Sequence, residues 1–146
     1  MTRLLAVDPG TKRLGIALSD PTETIANPHS VILHISRGKD AERIAMIANQ
    51  FEVGCIVIGQ ALSSDGEVGP SGRNSQRLAD AIKEISNIQV ILWDESGSTQ
   101  TARQTALEMG NRRKRRKGHH DMIAAVIVLQ DFLDNRNKAN NNGKNS

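Results

Sequence analysis

Residues 55–59, Cys-Ile-Val-Ile-Gly, form a fully apolar run that a polar, glycine-rich stretch, 60–74, follows. A strand this apolar is typical of the centre of a sheet that is covered on both faces. Residues 89–93 form a second run of this kind, so the chain must supply helices to both sides of a sheet.

The segments around these two runs predict an α/β fold. Short connections join three more predicted strands, 3–8, 13–19 and 24–35, and favour an antiparallel meander. The segments with a helical period or a capping residue are 39–52, 78–85, 99–109 and 120–134. A meander followed by β–α alternation predicts a mixed sheet with an antiparallel edge and helices on both faces. Doubly wound nucleotide-binding folds fit less well, because they begin β-α-β.

The length of 146 residues predicts one domain, 1–134. The remainder, 135–146, is rich in Asn and Lys, and its lack of core-forming residues predicts a disordered tail. No apolar run approaches the roughly 20 residues that span a bilayer. Cys55 is the only cysteine, which excludes a disulfide framework or a cysteine-based zinc site within one chain. These features predict a cytoplasmic protein.

Positive charge is concentrated in one short segment. The net charge is +3, but without six consecutive cations the other 13 Lys and Arg face 16 Asp and Glu, a balance of −3. The six residues of this basic run are Arg112, Arg113, Lys114, Arg115, Arg116 and Lys117. Such a run predicts contact with polyanionic phosphate, although a solvated loop is the alternative. With only three aromatic residues, contacts to the backbone are favoured over base stacking on aromatic rings.

Carboxylates occur at three places where an acidic cluster could form. Asp8 ends the first strand, Asp94 and Glu95 end the last one, and Asp121 begins the final helix. Each has an ordinary alternative, an Asx-turn for Asp8 and a helix-start acid for the others. If the two strands are parallel, their acidic ends meet at one edge of the sheet, where ligands bind in open α/β sheets. Clustered carboxylates would predict Mg²⁺ and phosphodiester hydrolysis, in which two ions can take part.

Four segments resemble the YqgF/RuvX family of RuvC-related nucleases. Residues 7–20 resemble its opening Asp-x-Gly-Thr-Lys-Arg-Ile-Gly motif, and Ile56–Gly59 resembles its next strand. Asp94-Glu95 with Ser98-Thr99 resembles its Asp-Glu-x-x-Ser-Thr signature. Asp121 with Ala124-Ala125 and Leu129-Gln130 resembles its C-terminal helix. The four motifs occur in the family's order and cover most of residues 3–133.

The resemblance implies an RNase H-like fold with strand order 3-2-1-4-5 and an acidic site that holds Mg²⁺ or Mn²⁺. Carried over, the catalytic residues are Asp8, Glu95 and Asp121, with Asp94 as a further metal ligand, while Lys12, Arg13 and the basic run bind phosphates. Family proteins are described as nucleases that mature the 5′ end of pre-16S rRNA or as Holliday-junction resolvases. The implied partners are therefore pre-rRNA, with or without the ribosomal precursor, or branched DNA, for a monomer or homodimer.

Departures from the family pattern leave alternatives open. Ser96-Gly97 replaces the usual Arg-Leu within the Asp-Glu motif, which removes a cation and favours a non-catalytic RNA- or ribosome-binding module as a rival. RuvC proteins carry a Glu near the position of Gly59. A sugar-kinase-like phosphotransferase also starts with Asp-x-Gly-Thr, but it needs two lobes, and this chain has length for one. The choice between RNA and DNA stays open.

Overall fold

The computed structural model describes residues 2–60, 70–94 and 119–144, and for residues 70, 71, 119–121 and 139–144 it describes the backbone alone. The elements in chain order are β1 (Arg3–Pro9), β2 (Arg13–Ser19), β3 (Ala26–Leu33), α1 (Arg37–Gln50), β4 (Val53–Gln60), α2 (Pro70–Ile85), β5 (Gln89–Asp94) and α3 (His119–Lys144). None of the helices in those ranges combines the length and apolarity that a bilayer-spanning helix needs.

The five strands form one mixed sheet in the order β3-β2-β1-β4-β5. β1 and β3 are antiparallel to β2, whereas β4 pairs in parallel with both β1 and β5. The predicted sheet and its strand order are therefore confirmed. Because β1, β4 and β5 run in the same direction, their last residues, Pro9, Gln60 and Asp94, lie at one edge, which we call the carboxyl edge.

Helices α1 and α2 cover one face of the sheet, the α1–α2 face, and large aliphatic residues fill the space between them. Leu5 and Val7 from β1 and Ile56 and Ile58 from β4 are fully buried there against helix residues that include Ile44 and Ile82. This face contains most of the large buried side chains of the described chain, as the apolar run at 55–59 predicts.

Helix α3 covers the opposite face, the α3 face, where three of the buried sheet residues are alanines. Ala6, Ala17 and Ala26 belong to the same buried cluster as Ala125 of α3. Alanine on both surfaces lets a helix approach a sheet closely, because few side-chain atoms separate the two backbones. The alanine on α3 thus has its counterpart in the alanines of the strands.

Helix α1 begins two residues earlier than predicted. The hydroxyl of Ser36 caps α1 by accepting a hydrogen bond from the backbone N–H of Lys39 at 3.2 Å. Helix α2 begins at Pro70, eight residues before Leu78, the first residue of the predicted helix. Proline suits a helix start, where its missing N–H breaks no intrahelical bond. The predicted helix at 99–109 and the basic run lie outside the described residues.

Helix α3 extends ten residues beyond its predicted end. Residues 135–144, for which the sequence predicts a disordered tail, are helical in the structure. Side-chain contacts explain the first part of the extension. Asn135 donates a hydrogen bond to the backbone carbonyl of Asp131 at 2.8 Å, and Arg136 forms an ion pair with Glu23 at 3.6 Å. Polar residues thus anchor the first part of the extension, 135–138, and none of these four residues belongs to the buried core.

Candidate active site

Asp8 lies next to the end of β1, the central strand, and is half-buried. Side chains alternate between the faces of a strand. Asp8 therefore shares the α3 face with Leu4 and Ala6, which belong to the cluster beneath α3. Val7 pairs with Ile58, so one residue further along Asp8 is level with Gly59. A carboxylate at this position stands beside a strand position that has no side chain.

The turn after Asp8 depends on Gly10 for a steric reason. The backbone N–H of Gly10 donates to the carbonyl of Arg13 at 2.9 Å and closes the turn between β1 and β2. A Cβ at Gly10 would lie 2.4 Å from that carbonyl oxygen, much closer than atoms can approach. The φ angle of Gly10 lies outside the left-handed region, so glycine is required here for space and not for a positive φ angle.

Two of the residues predicted to bind phosphate lie at this turn. Lys12 is exposed, and Arg13, the first residue of β2, is half-buried. By alternation Arg13 shares a face with Ala17, which is in the α3 cluster. Arg13 therefore lies on the same face as Asp8, and at the same edge. The structure thus brings together at the carboxyl edge one predicted ligand and two predicted phosphate-binding cations.

The end of β5 provides the second group of carboxylates. Asp94 is the last residue of β5, is half-buried and pairs with Gln60. Gln60 donates to the carbonyl of Gly72 in α2 at 3.1 Å, so this row of the sheet faces α2. Asp94 thus lies at the predicted edge but, by alternation, on the face opposite Asp8, which does not favour it as a ligand of the same ion. Glu95 lies outside the described residues, and its role stays a prediction.

Asp121 is the third residue of α3, and the structure describes its backbone alone. The direction of α3 follows from contacts further along the helix. The side chain of Gln130 bridges the N–H of Ala26 at 2.9 Å and the carbonyl of Thr24 at 3.0 Å, beside the amino end of β1. From Gln130 back to Asp121 the helix rises about 13 Å, and from Leu4 to Asp8 the strand also rises about 13 Å. How close the start of α3 comes to Asp8 stays a prediction.

A buried carboxylate that the sequence analysis missed links β5 to α3. Asp131 is fully buried, and its Oδ2 accepts a hydrogen bond from Nε1 of Trp93 at 2.8 Å. Its Oδ1 accepts from Nδ2 of Asn135 at 3.2 Å. The Trp93 ring also packs edge-on against Phe132, with the ring centroids 5.2 Å apart. The only sequence signal for this buried carboxylate was an acidic residue in an otherwise apolar helix. That signal is weak, because such acidic residues often face solvent.

The side chains that the structure describes are only part of the predicted ligand set. Among them there is no group of three His, Cys, Asp or Glu residues placed to hold a metal ion. Of the four predicted ligands, only Asp8 and Asp94 have described side chains. Burial raises the pKa of the Cys55 thiol to about 11, which makes this residue a poor metal ligand or nucleophile at neutral pH.

Comparison with known proteins decides the family. A sequence profile described as "RuvX: Holliday junction resolvase" matches residues 2–135. The chain belongs to the RuvX family. A RuvX relative from Thermoanaerobacter pseudethanolicus is 38% identical over 135 residues, which are 92% of this chain and 97% of the relative. One from Syntrophomonas wolfei is 39% identical over 132 residues, 90% and 94% of the two chains. Both are named as candidate pre-16S rRNA nucleases.

Solved structures confirm the RNase H-like fold that the sequence predicts for this RuvX chain. Thermus thermophilus RuvC in complex with a Holliday junction substrate superposes with a TM-score of 0.63 at 14% identity, over 93% of this chain and 96% of that one. The fowlpox virus Holliday junction resolvase gives a TM-score of 0.58 at 12% identity, with coverage of 92% and 99%. At these identities the likeness describes the fold.

Proposed function

We propose that this RuvX protein is a metal-dependent nuclease that hydrolyses phosphodiester bonds in structured nucleic acid and processes the 5′ end of pre-16S rRNA. The observation that carries the proposal is the position of Asp8, at the carboxyl edge and on the face of the sheet that α3, the helix of Asp121, covers. The names of the RuvX relatives supply the substrate. Pre-rRNA, free or in a ribosomal precursor, would be the partner, in the cytoplasm.

The donor set fits Mg²⁺ or Mn²⁺. Carboxylate oxygens are hard ligands, and one or two for each Mg²⁺ ion suffice because the ion keeps several waters. Asp8, Glu95 and Asp121 would hold the metal, while Asp94 is less suited because of its face. Bound there, divalent ions supply an activated water and stabilise the departing oxygen. Gly59 leaves space beside Asp8 for an ion or a phosphate oxygen.

The cations of the chain would hold the substrate and take no part in bond cleavage. Arg13, on the same face as Asp8, would hold the phosphate that is cleaved, and the exposed Lys12 would hold a neighbouring one. Phosphate contacts fix register and orientation without reading sequence. This division of roles predicts that Asp8 governs cleavage and that the cations govern affinity.

A cleavage assay tests the proposal. Wild-type protein and Asp8→Asn would be incubated with a 5′-extended 16S rRNA precursor fragment and with a four-way DNA junction, each in Mg²⁺ and in Mn²⁺. We expect cleavage of the precursor by the wild type, at least a hundredfold loss in Asp8→Asn, and equal binding by the two proteins. Asp80→Asn is the matched control, because Asp80 is an exposed carboxylate on α2, away from the carboxyl edge.

Two results would contradict the proposal. Cleavage by Asp8→Asn at the wild-type rate would remove the site from the reaction. Metal-independent binding of the precursor, without cleavage in either ion, would instead support a non-catalytic binding module, the reading that Ser96-Gly97 favours.

A DNA endonuclease that resolves junctions is the second candidate. The description of the matching family and the fold shared with RuvC favour it. Cleavage of the junction in preference to the precursor would support this candidate. A resolvase acting on a symmetric junction is expected to be a dimer, so light scattering with and without junction DNA is the accompanying measurement.

The basic run is the part of the proposal that concerns affinity. Replacing Arg112, Arg113, Arg115 and Arg116 with Gln should weaken binding and flatten its dependence on salt. Each lost phosphate contact lowers the slope of log K against log salt by about 0.7–0.9. An unchanged slope would mean that the run does not contact the substrate.

A further inference from the structure

A second concave site lies at the carboxyl edge, on the face opposite Asp8. It is a cavity of about 300 Å³ between the β1–β2 turn, the start of α1 and α2. Pro9, Leu14 and Leu78 give it an apolar floor, while His34, Arg37 and Asn74 provide polar atoms. Asp8 and Pro9 are consecutive strand residues and lie on opposite faces, so the cavity is one residue away from the proposed catalytic carboxylate.

One wall of the cavity is a histidine–carboxylate pair, in which Asp40 is buried and His34 is exposed. Asp40 is 2% exposed, and its Oδ1 accepts a hydrogen bond from the backbone N–H of Ile35 at 3.1 Å. Its Oδ2 is hydrogen-bonded to Nδ1 of His34. The carboxylate therefore favours the proton on Nδ1 and leaves Nε2 of His34 for another partner. Asn74, exposed on α2, adds an amide that can both donate and accept.

The chemistry of this lining disfavours an anion. Asp40 brings a carboxylate into the wall, and Arg37 is the only Lys or Arg among the described lining residues. A neutral, flat ring with hydrogen-bonding edges suits the cavity better, because the floor of the cavity is apolar and its polar groups lie around that floor. The volume is at the lower end of the roughly 300–1,000 Å³ usual for ligand pockets. It is therefore suited to a small ring system.

We propose that this cavity holds one unstacked nucleobase of the substrate strand next to the cleaved bond. The inference rests on the proposed function. Proteins read single-stranded regions by stacking splayed bases on side chains and bonding their edges. Apolar side chains can replace aromatic ones in such pockets, which accords with a chain that has three aromatic residues. The exposed Lys12, in the turn between Asp8 and the cavity, would meet the connecting phosphate.

Binding of single-stranded RNA in the absence of metal tests the cavity independently of cleavage. The probes are 5′-labelled hexamers of A, C and U, followed by fluorescence anisotropy in EDTA, with duplex RNA as a reference. The variant is Asn74→Leu, which keeps size but removes the amide. The control is Gln76→Leu, another exposed amide on the same helix that does not line the cavity. Any general effect of an added leucine on α2 is common to both variants.

Asn74→Leu should weaken binding of at least one hexamer about tenfold, the usual scale for losing a bidentate contact to a base, and should reduce the difference among the three bases. Gln76→Leu should stay within twofold of the wild type, and neither variant should change duplex binding by more than twofold. Equal losses in the two variants, or no loss in Asn74→Leu, would overturn the proposal.

The cleavage assay separates failure of the cavity from failure of the proposed function. If both ideas hold, Asn74→Leu raises KM for the precursor and changes the preferred base beside the cut, with kcat nearly unchanged. If the chain cleaves nothing, the hexamers still decide whether the cavity binds a base. If cleavage depends on Asp8 but Asn74→Leu leaves KM and base preference unchanged, the nuclease assignment stands and the cavity proposal is wrong.

Discussion

The two faces of the sheet are built from side chains of different size and have different consequences at the carboxyl edge. On the α1–α2 face, leucine, isoleucine and valine of the strands pack against the helices. On the α3 face, Ala6, Ala17 and Ala26 lie in one buried cluster with Ala125, and small side chains of this kind let a helix approach closely. The first face ends in a cavity at the edge, whereas the second carries Asp8 on the face that α3, with Asp121 in its first turn, covers.

One small sheet can thereby provide two different sites, one on each face. A carboxylate cluster that shares an ion needs backbones close together, and small side chains provide that closeness. A pocket for a flat ring needs backbones further apart, and large side chains provide the spacing and the apolar floor. The faces should therefore respond differently to the same substitution.

The largest expected difference between the two faces is their response to overpacking by a larger side chain. Ala125→Leu adds volume at a fully buried position on α3, and Ala79→Leu does the same at a buried position on α2. Both should lower the free energy of unfolding by about 1–3 kcal/mol. Ala125→Leu should also lower cleavage at least tenfold at a temperature where both variants are folded, because small displacements of reacting groups cost rate steeply.

Denaturant unfolding and the precursor cleavage assay check this pair together. If Ala79→Leu reduced cleavage as much as Ala125→Leu, activity would follow overall stability, and the assignment of the two faces to different tasks would fail.

Removing the buried carboxylate of α3 should have a smaller effect. Asp131→Asn keeps the size but weakens the bond to Trp93, so we expect a loss of about 1–2 kcal/mol in unfolding free energy. Trp93 is the only tryptophan, and its fluorescence reports the change directly. If Asp131 positions the end of β5, kcat falls several-fold while KM for the precursor changes little.

Asp134→Asn is the matched control, because Asp134 is exposed three residues further along and accepts a hydrogen bond from Gln130 at 3.0 Å. An unchanged Trp93 spectrum in Asp131→Asn would show that the bond does not exist in solution.

The smallest effect concerns the opposite end of the α3 face. Asp20 is solvent-exposed, and hydrogen bonds from the backbone N–H of Ile25, the Thr22 hydroxyl and the N–H of Thr24 lower its pKa from 3.8 to about 2. A carboxyl whose pKa is lower in the folded protein stabilises it above the unfolded pKa, and this contribution is lost as the pH falls through the folded pKa. The Tm difference between the wild type and Asp20→Asn should therefore be constant from pH 7 to 5 and shrink between about pH 4 and 2. A difference that does not change with pH would contradict this origin.

Strands and faces could be predicted from the sequence because their signal is local. Residues 13–19 were predicted with the bounds that β2 has, and the apolar run at 55–59 lies within β4. Helix bounds were less accurate, since polar first turns and polar ends carry no periodicity. The extension of α3 depends on Arg136 meeting Glu23, a contact between residues far apart in the chain.

The candidate site also has parts that could be predicted from the sequence and parts that could not. Asp8, Lys12 and Arg13 belong to one continuous motif, so their placement at one edge could be predicted from it. The face that Asp94 occupies could not, because alternation is readable only once the register between β4 and β5 is known. The pairs Trp93–Asp131 and His34–Asp40 join different elements, and neither partner has a distinctive neighbourhood in the sequence.

Mn²⁺ binding to the wild type, Asp8→Asn, Asp121→Asn and the double variant tests the central claim most directly, with the free ion followed by its electron paramagnetic resonance signal. If the two aspartates bind the same ion, each single substitution abolishes most of the Mn²⁺ binding, and the double substitution causes no further loss of binding. Wild-type binding in either single variant, or losses in free energy that simply add, would contradict a shared site at the start of α3.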